Sequence, residues 1–324
     1  METTLYPSPC TLYPRIVALA SQPISLSPHR ITRLLALLEW WHLLSLDAPT
    51  VATLWAWSFA RALHLNLPMD ALLLLFSGTW ILYVADRILD GLHQTLGHLR
   101  ERHFFYMRHR TVIIFVAVPV GILLTWLVFA HMLASARHAD SLLFVVACVY
   151  FCLVHLHGRS IERWFPKELI VALVFASATA VPAFARISTD YALRTTQAQI
   201  VLLVLAALFA ALCWLNCVAI EKWEQAPGPP YPPRGQHFQL QRNDHTTRWG
   251  QRHLFLISLA IVCAAIVSAA LLLRSNVLAA LLCLAAALAA ALFIVLDRST
   301  FIAPRLRIAA DAALLTPLLF IFVR

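Results

Sequence analysis

The chain has 324 residues, 61% hydrophobic and 13% charged, with a mean hydropathy of +0.76, which excludes a soluble globular domain and reads as an integral membrane protein. Its formal net charge of +9 follows from inward-facing basic loops and anionic headgroups. It gives no argument for nucleic acid, and no basic-aromatic reading module is visible.

In chain order, residues 1–30 lack the compact basic, apolar and small-residue order of a cleaved signal peptide, so 1–45 is expected to stay as a cytoplasmic N-terminal segment. Stretches long enough to cross a hydrocarbon core of roughly 30 Å then follow at 46–64, 69–88, 111–131, 140–157, 168–186, 195–221, 253–273, 276–296 and 306–323. Lipid offers no partners to backbone polar groups, so each must be a helix. The expectation is all-α: a polytopic bundle of nine transmembrane helices over 46–324.

Basic loop residues are retained on the cytoplasmic side. With a cytoplasmic N-terminus the inner side takes 19 Lys and Arg and the outer side 6, together all 25. The expected location is the cell (inner) membrane, and the split sets the C-terminus outside. Six of the seven cysteines lie within spans and none forms a C-x-x-C, so they read as small packing residues.

The second span ends in WILYVADRILDG, with Asp86 and Asp90 four apart, and the sixth in CWLNCVAIEKWEQ, with Glu221 and Glu224 three apart. On helices each pair shares a face and can grip a cation between its carboxylates, and acids are rare at membrane helix ends without a role. A long basic and aromatic loop follows each, at 91–110 and 225–252. Loops of that length commonly act as caps. The first also suits an interfacial helix that binds headgroups; the prolines of PGPPYPP stiffen the second.

The two acidic-ended helices stand 135 residues apart (Asp86 to Glu221), and a duplicated four-helix unit would set them across one central cavity open to the cytoplasm. Mg²⁺, which takes oxygen ligands and bridges protein acids to phosphates, suits such a site. Arg87, Lys222, Arg159, Arg163 and Lys167 are the inner-face cations available for a diphosphate. Asp311 in the ninth span reads either as a partner of Arg305 or Arg307 or as a cavity residue. His155 and His157, two apart, do not share a helix face and read as interfacial, as do Trp40, Trp41, Trp164, Trp223 and Trp249.

On these residues the chain resembles a divergent member of the UbiA superfamily of intramembrane prenyltransferases, whose first motif reads N-D-x-x-D-x-x-x-D at the inner end of the second helix. Asp86 and Asp90 match its last two aspartates, with Arg87 and Gly91 also often seen there. Leu82 and Tyr83 stand where the family has Asn and its first Asp. Glu221 and Glu224, with Asn216 upstream, correspond to the second motif, and Asp47-Ala48-Pro49 is similar to a family D-K-P segment. The R-P-L-x-x-G element is absent from 91–111.

The resemblance, over roughly 45–324, implies a UbiA-like bundle and transfer of an isoprenyl group from a prenyl diphosphate to a lipophilic, aromatic or other acceptor. It implies catalytic Asp86 and Asp90, Mg²⁺ on Asp86, Asp90, Glu221 and Glu224, and Tyr83, Asn216 and Asp47 as cavity residues. Two other readings stay open: a non-catalytic isoprenoid- or lipid-binding protein of the same fold, and an ion-coupled transporter.

Overall fold

The computed structural model describes residues 30–93, 101–157, 166–189, 195–225 and 245–320. Among them the regular structure is helical throughout, with no strand. The helices are α1 (Arg30–Leu43), α2 (Asp47–Ala62), α3 (Met69–His93), α4 (Glu101–Arg108), α5 (Arg110–Ala130) and α6 (Ala134–His157). They continue with α7 (Lys167–Thr189), α8 (Thr196–Gln225), α9 (His245–Arg252), α10 (Leu254–Leu272), α11 (Val277–Asp297) and α12 (Ala303–Ala313), before a 3₁₀ turn at Thr316–Phe320.

Among the described residues six helices have the length and hydropathy to cross a membrane: α3, α5, α7, α8, α10 and α11. The chain is therefore a multi-pass integral membrane protein. The sequence limits of α5, α10 and α11 agree with the structure to about a residue at each end. Three expected spans take other forms. The first is α2, only 16 residues long. The fourth, α6, starts earlier than expected and runs for 24 residues, about 36 Å at helical rise. The ninth is broken into α12 and the 3₁₀ turn. Of the two long loops, the first contains the helix α4 and the second ends in α9, while 94–100 and 226–244 lie outside the described residues.

The centre of the bundle is α8, which packs on α7, α10, α11 and α12. Apolar helix surfaces gain little from one another over lipid, so close van der Waals contact must hold them. The sequence of α11 supplies it with small residues: Ala279, Cys283, Ala286 and Ala290 recur at three- and four-residue intervals and are all but fully buried. Around α2, Trp55 stacks on Phe209 at 4.6 Å, and Phe59 meets the same ring edge-on at 6.0 Å. By contrast α5 exposes Phe115, Ile122 and Phe129, as a lipid-facing helix should.

Among the described residues two other than glycine take the left-handed conformation, Ser45 (φ 53°) and His64 (φ 56°), which costs a side chain about 1–2 kcal/mol. Each ends a helix in a Schellman turn. After α1, Leu46 N–H donates to the Trp41 carbonyl at 2.9 Å; after α2, Leu65 N–H donates to the Ala60 carbonyl at 2.8 Å. The Ser45 turn reverses the chain so that His42 faces Asp47, and Tyr106 of α4 donates to the Ser45 hydroxyl at 3.1 Å.

Candidate functional site

Polar side chains gather at the end of the bundle where α2 begins and α3 and α8 finish. His42 Nδ1 bonds Asp47 Oδ2 at 2.7 Å and lies 3.5 Å from Asp311 Oδ2. Asn216 Nδ2 donates to Asp311 Oδ1 at 3.0 Å. Four elements thus meet at one point: α1, α2, α8 and α12. One ligand atom from each of His42, Asp47 and Asp311 falls within 4.8 Å of the other two. Burial disfavours the imidazolium, but the carboxylates of Asp311 and Asp47 outweigh it, and the His42 pKa is raised from 6.5.

Tyr83 connects this cluster to the first acidic segment. It lies within electrostatic reach of Cys217, Asp47, Arg87 and Asp311, and the Arg87 guanidinium stands 5.6 Å from its ring centroid. Arg87 is 9% exposed and donates to Asp86 Oδ2 at 2.9 Å. Its Nε is buried with no hydrogen-bond partner among the described residues. Cys217 connects to the second segment, within electrostatic reach of Glu168, Asp311, Lys167 and Glu221. Buried Glu168 accepts from the Thr247 hydroxyl at 2.7 Å, which seats α9, the end of the second long loop, against the start of α7.

The expected residues therefore divide. Asp47, Tyr83, Arg87, Lys167, Asn216 and Glu221 belong to this polar end, and Asp86 borders it through Arg87. Lys222 turns away and donates to both oxygens of Asp297 at 2.8 Å, clamping α8 to α11, with the Trp223 indole donating to the same carboxylate at 3.0 Å. Glu224 accepts from Arg307 at 2.8 Å, so Arg307 serves Glu224 while Asp311 is held by Asn216 and His42. Asp90 is on α3, but its side chain, like Arg159 and Arg163, lies outside the described residues.

Sequence reading missed His42, Thr247 and Asp297. His42 and Asp47 are five apart across a turn, a spacing that no helix face brings together, and the other two contacts join residues at least 74 positions apart. No family model matches the chain, and no curated protein and no solved structure is similar enough to match it.

Proposed function

We propose that the chain is a UbiA-like intramembrane prenyltransferase of nine spans, with its site at this polar end on the cytoplasmic side. The observation that carries the reading is Arg87. It is a buried cation within the DRILD segment, with an N–H that lacks an acceptor among the described residues, and such a group needs an explanation that an anionic ligand supplies. Tyr83 lies within electrostatic reach of Cys217, and Cys217 within reach of Glu221, which supports it by bringing the two acidic segments toward one end of the bundle.

On this proposal Arg87 and Lys167 bind the diphosphate of an isoprenyl diphosphate, and the carboxylates of Asp86, Asp90, Glu221 and Glu224, hard oxygen donors of the kind Mg²⁺ takes, would hold the metal. Bound Mg²⁺ would neutralise charge growing on the leaving diphosphate. The allylic C–O bond breaks, its electron pair leaves with diphosphate, and the acceptor bonds to the allylic carbon and loses a proton. Surrounding apolar helices exclude water from the cation. Purified protein given a panel of prenyl diphosphates and lipophilic acceptors should release diphosphate in a Mg²⁺-dependent manner. In Asp86→Asn the rate should fall by about 100-fold or more, the scale of losing a group that stabilises the transition state. Binding without turnover across the panel would reject the enzyme.

The second reading is a non-catalytic isoprenoid-binding protein of the same fold. It is favoured by Arg87 on Asp86 and Arg307 on Glu224, since both guanidinium groups already neutralise carboxylates assigned to the metal. It predicts prenyl-lipid binding indifferent to Mg²⁺.

A further inference from the structure

Apart from the acids taken for Mg²⁺, the polar end holds a donor set that includes a nitrogen. His42, Asp47 and Asp311 each offer a ligand atom within 4.8 Å of the other two, and their side chains are only 11–12% exposed. They come from three elements: the end of α1, the first residue of α2, and α12. The two carboxylates are arranged alike. Asp47 Oδ1 accepts from the Ala48 N–H at 2.9 Å and Asp311 Oδ1 from the Asn216 amide at 3.0 Å, so in each one oxygen is tethered and Oδ2 is turned to the imidazole. Ligating carboxylates are commonly oriented through their other oxygen in this way.

His42 Nδ1 carries at most one proton, and that proton can point at one carboxylate only. Asp47 Oδ2, at 2.7 Å, is within hydrogen-bond length; Asp311 Oδ2, at 3.5 Å, is not. A dication can face both. With bonds of about 2.0–2.2 Å, donors on a tetrahedral metal stand about 3.3 Å apart. The Asp311 distance already suits that spacing, and the Asp47 distance has to open only slightly. An independent observation comes from Asn216. Its Oδ1 is buried with no hydrogen-bond partner among the described residues, on the same amide whose nitrogen bonds Asp311. A buried acceptor left unmatched needs a donor, and water on a metal held by Asp311 supplies one.

We propose that His42 Nδ1 and one oxygen each of Asp47 and Asp311 bind a divalent transition metal, Zn²⁺ in preference to Mg²⁺, whose fourth position carries a water that donates to Asn216 Oδ1. One imidazole, two carboxylates and an open position form a donor set that zinc takes, whereas Mg²⁺ favours oxygen ligands. The ion replaces the proton that Nδ1 keeps in the metal-free protein, and two carboxylates balance its charge. Arg307, which also faces His42, is paired with Glu224. The inference does not rest on the prenyltransferase reading, whose Mg²⁺ is assigned to other carboxylates.

The test is Zn²⁺ binding to the full chain, purified in neutral detergent and stripped with a chelator, read by competition with a chromophoric zinc indicator. One Zn²⁺ per chain should bind, at least about 100-fold more tightly than Mg²⁺. His42→Gln and Asp311→Asn should each weaken it by about tenfold or more, and Asn216→Ala, which removes only the outer contact, by about tenfold. X-ray absorption at the zinc edge of the unchanged protein should show a single imidazole among oxygen donors, and this carries the test where a variant fails to fold. Two or more imidazoles on the ion would place it elsewhere among the 14 histidines of the chain and overturn the proposal. So would Mg²⁺ binding as tightly as Zn²⁺, or an affinity unchanged in both His42→Gln and Asp311→Asn.

Discussion

His42 ties α1 to the bundle beside Trp41, whose indole donates to the Thr50 hydroxyl at 3.2 Å, and its chemistry gives its share of that tie a pH dependence. The groups facing it are Asp47 on α2 and Asp311 and Arg307 on α12. Because its pKa is raised in the folded protein, the stability it contributes is fully present below about pH 6.5 and is lost as pH rises through the raised value. His42→Gln should therefore destabilise the protein by about 1.5–3 kcal/mol in mild acid, the range for hydrogen bonds to charged groups. The gap between its thermal midpoint and that of the unchanged protein should narrow as pH rises through the raised value. A gap that is constant or widens with pH would show that the imidazole acts without its charge. None of this was legible in WWHLLSLDAP, because the turn that joins His42 to Asp47 depends on a left-handed serine for which the usual glycine signal is missing.

Among the elements, α11 shows what sequence conveys well and what it does not. Its limits follow from hydropathy alone, because twenty uninterrupted apolar residues admit one structure in lipid. Which face it buries does not, since VLAALLCLAAALAAALFIVL is apolar on every side. Most buried positions are small, with Leu282 and Phe293 beside them, and exposed Leu284, Leu288 and Val295 mark the other face. Ala286→Leu and Ala290→Leu, both at positions buried to 1% or less, should each cost about 1–3 kcal/mol through overpacking. Leu288→Ala, on the exposed face, should leave the denaturation midpoint in detergent nearly unchanged. Equal effects at both faces would refute this packing. The same limit applies to the polar end: the acidic segments could be read locally, whereas the commitment of Lys222 to Asp297 and Glu224 to Arg307 could not, because each joins helices far apart in the chain.

For the whole molecule, the distribution of Lys and Arg predicts nine crossings with the N-terminus inside and the C-terminus outside. Reporter fusions that fluoresce only in the cytoplasm should be dark after residue 324 and bright within 226–244; a bright C-terminal fusion would remove one crossing and invert the account of the last segment. That segment is where α12 gives way to a 3₁₀ turn, and its Leu314 carbonyl accepts from the Trp55 indole at 2.8 Å, across 259 positions of sequence, while the Thr316 hydroxyl donates to the Ala285 carbonyl at 2.9 Å. A helix interrupted in this way has no stable existence in bare lipid, where its opened backbone would find no donor. Biosynthesis is then obliged to proceed in sequence: α2, made early, holds its indole donor until α12 emerges, and the last segment enters by docking onto a prepared protein surface instead of by partitioning alone into the bilayer.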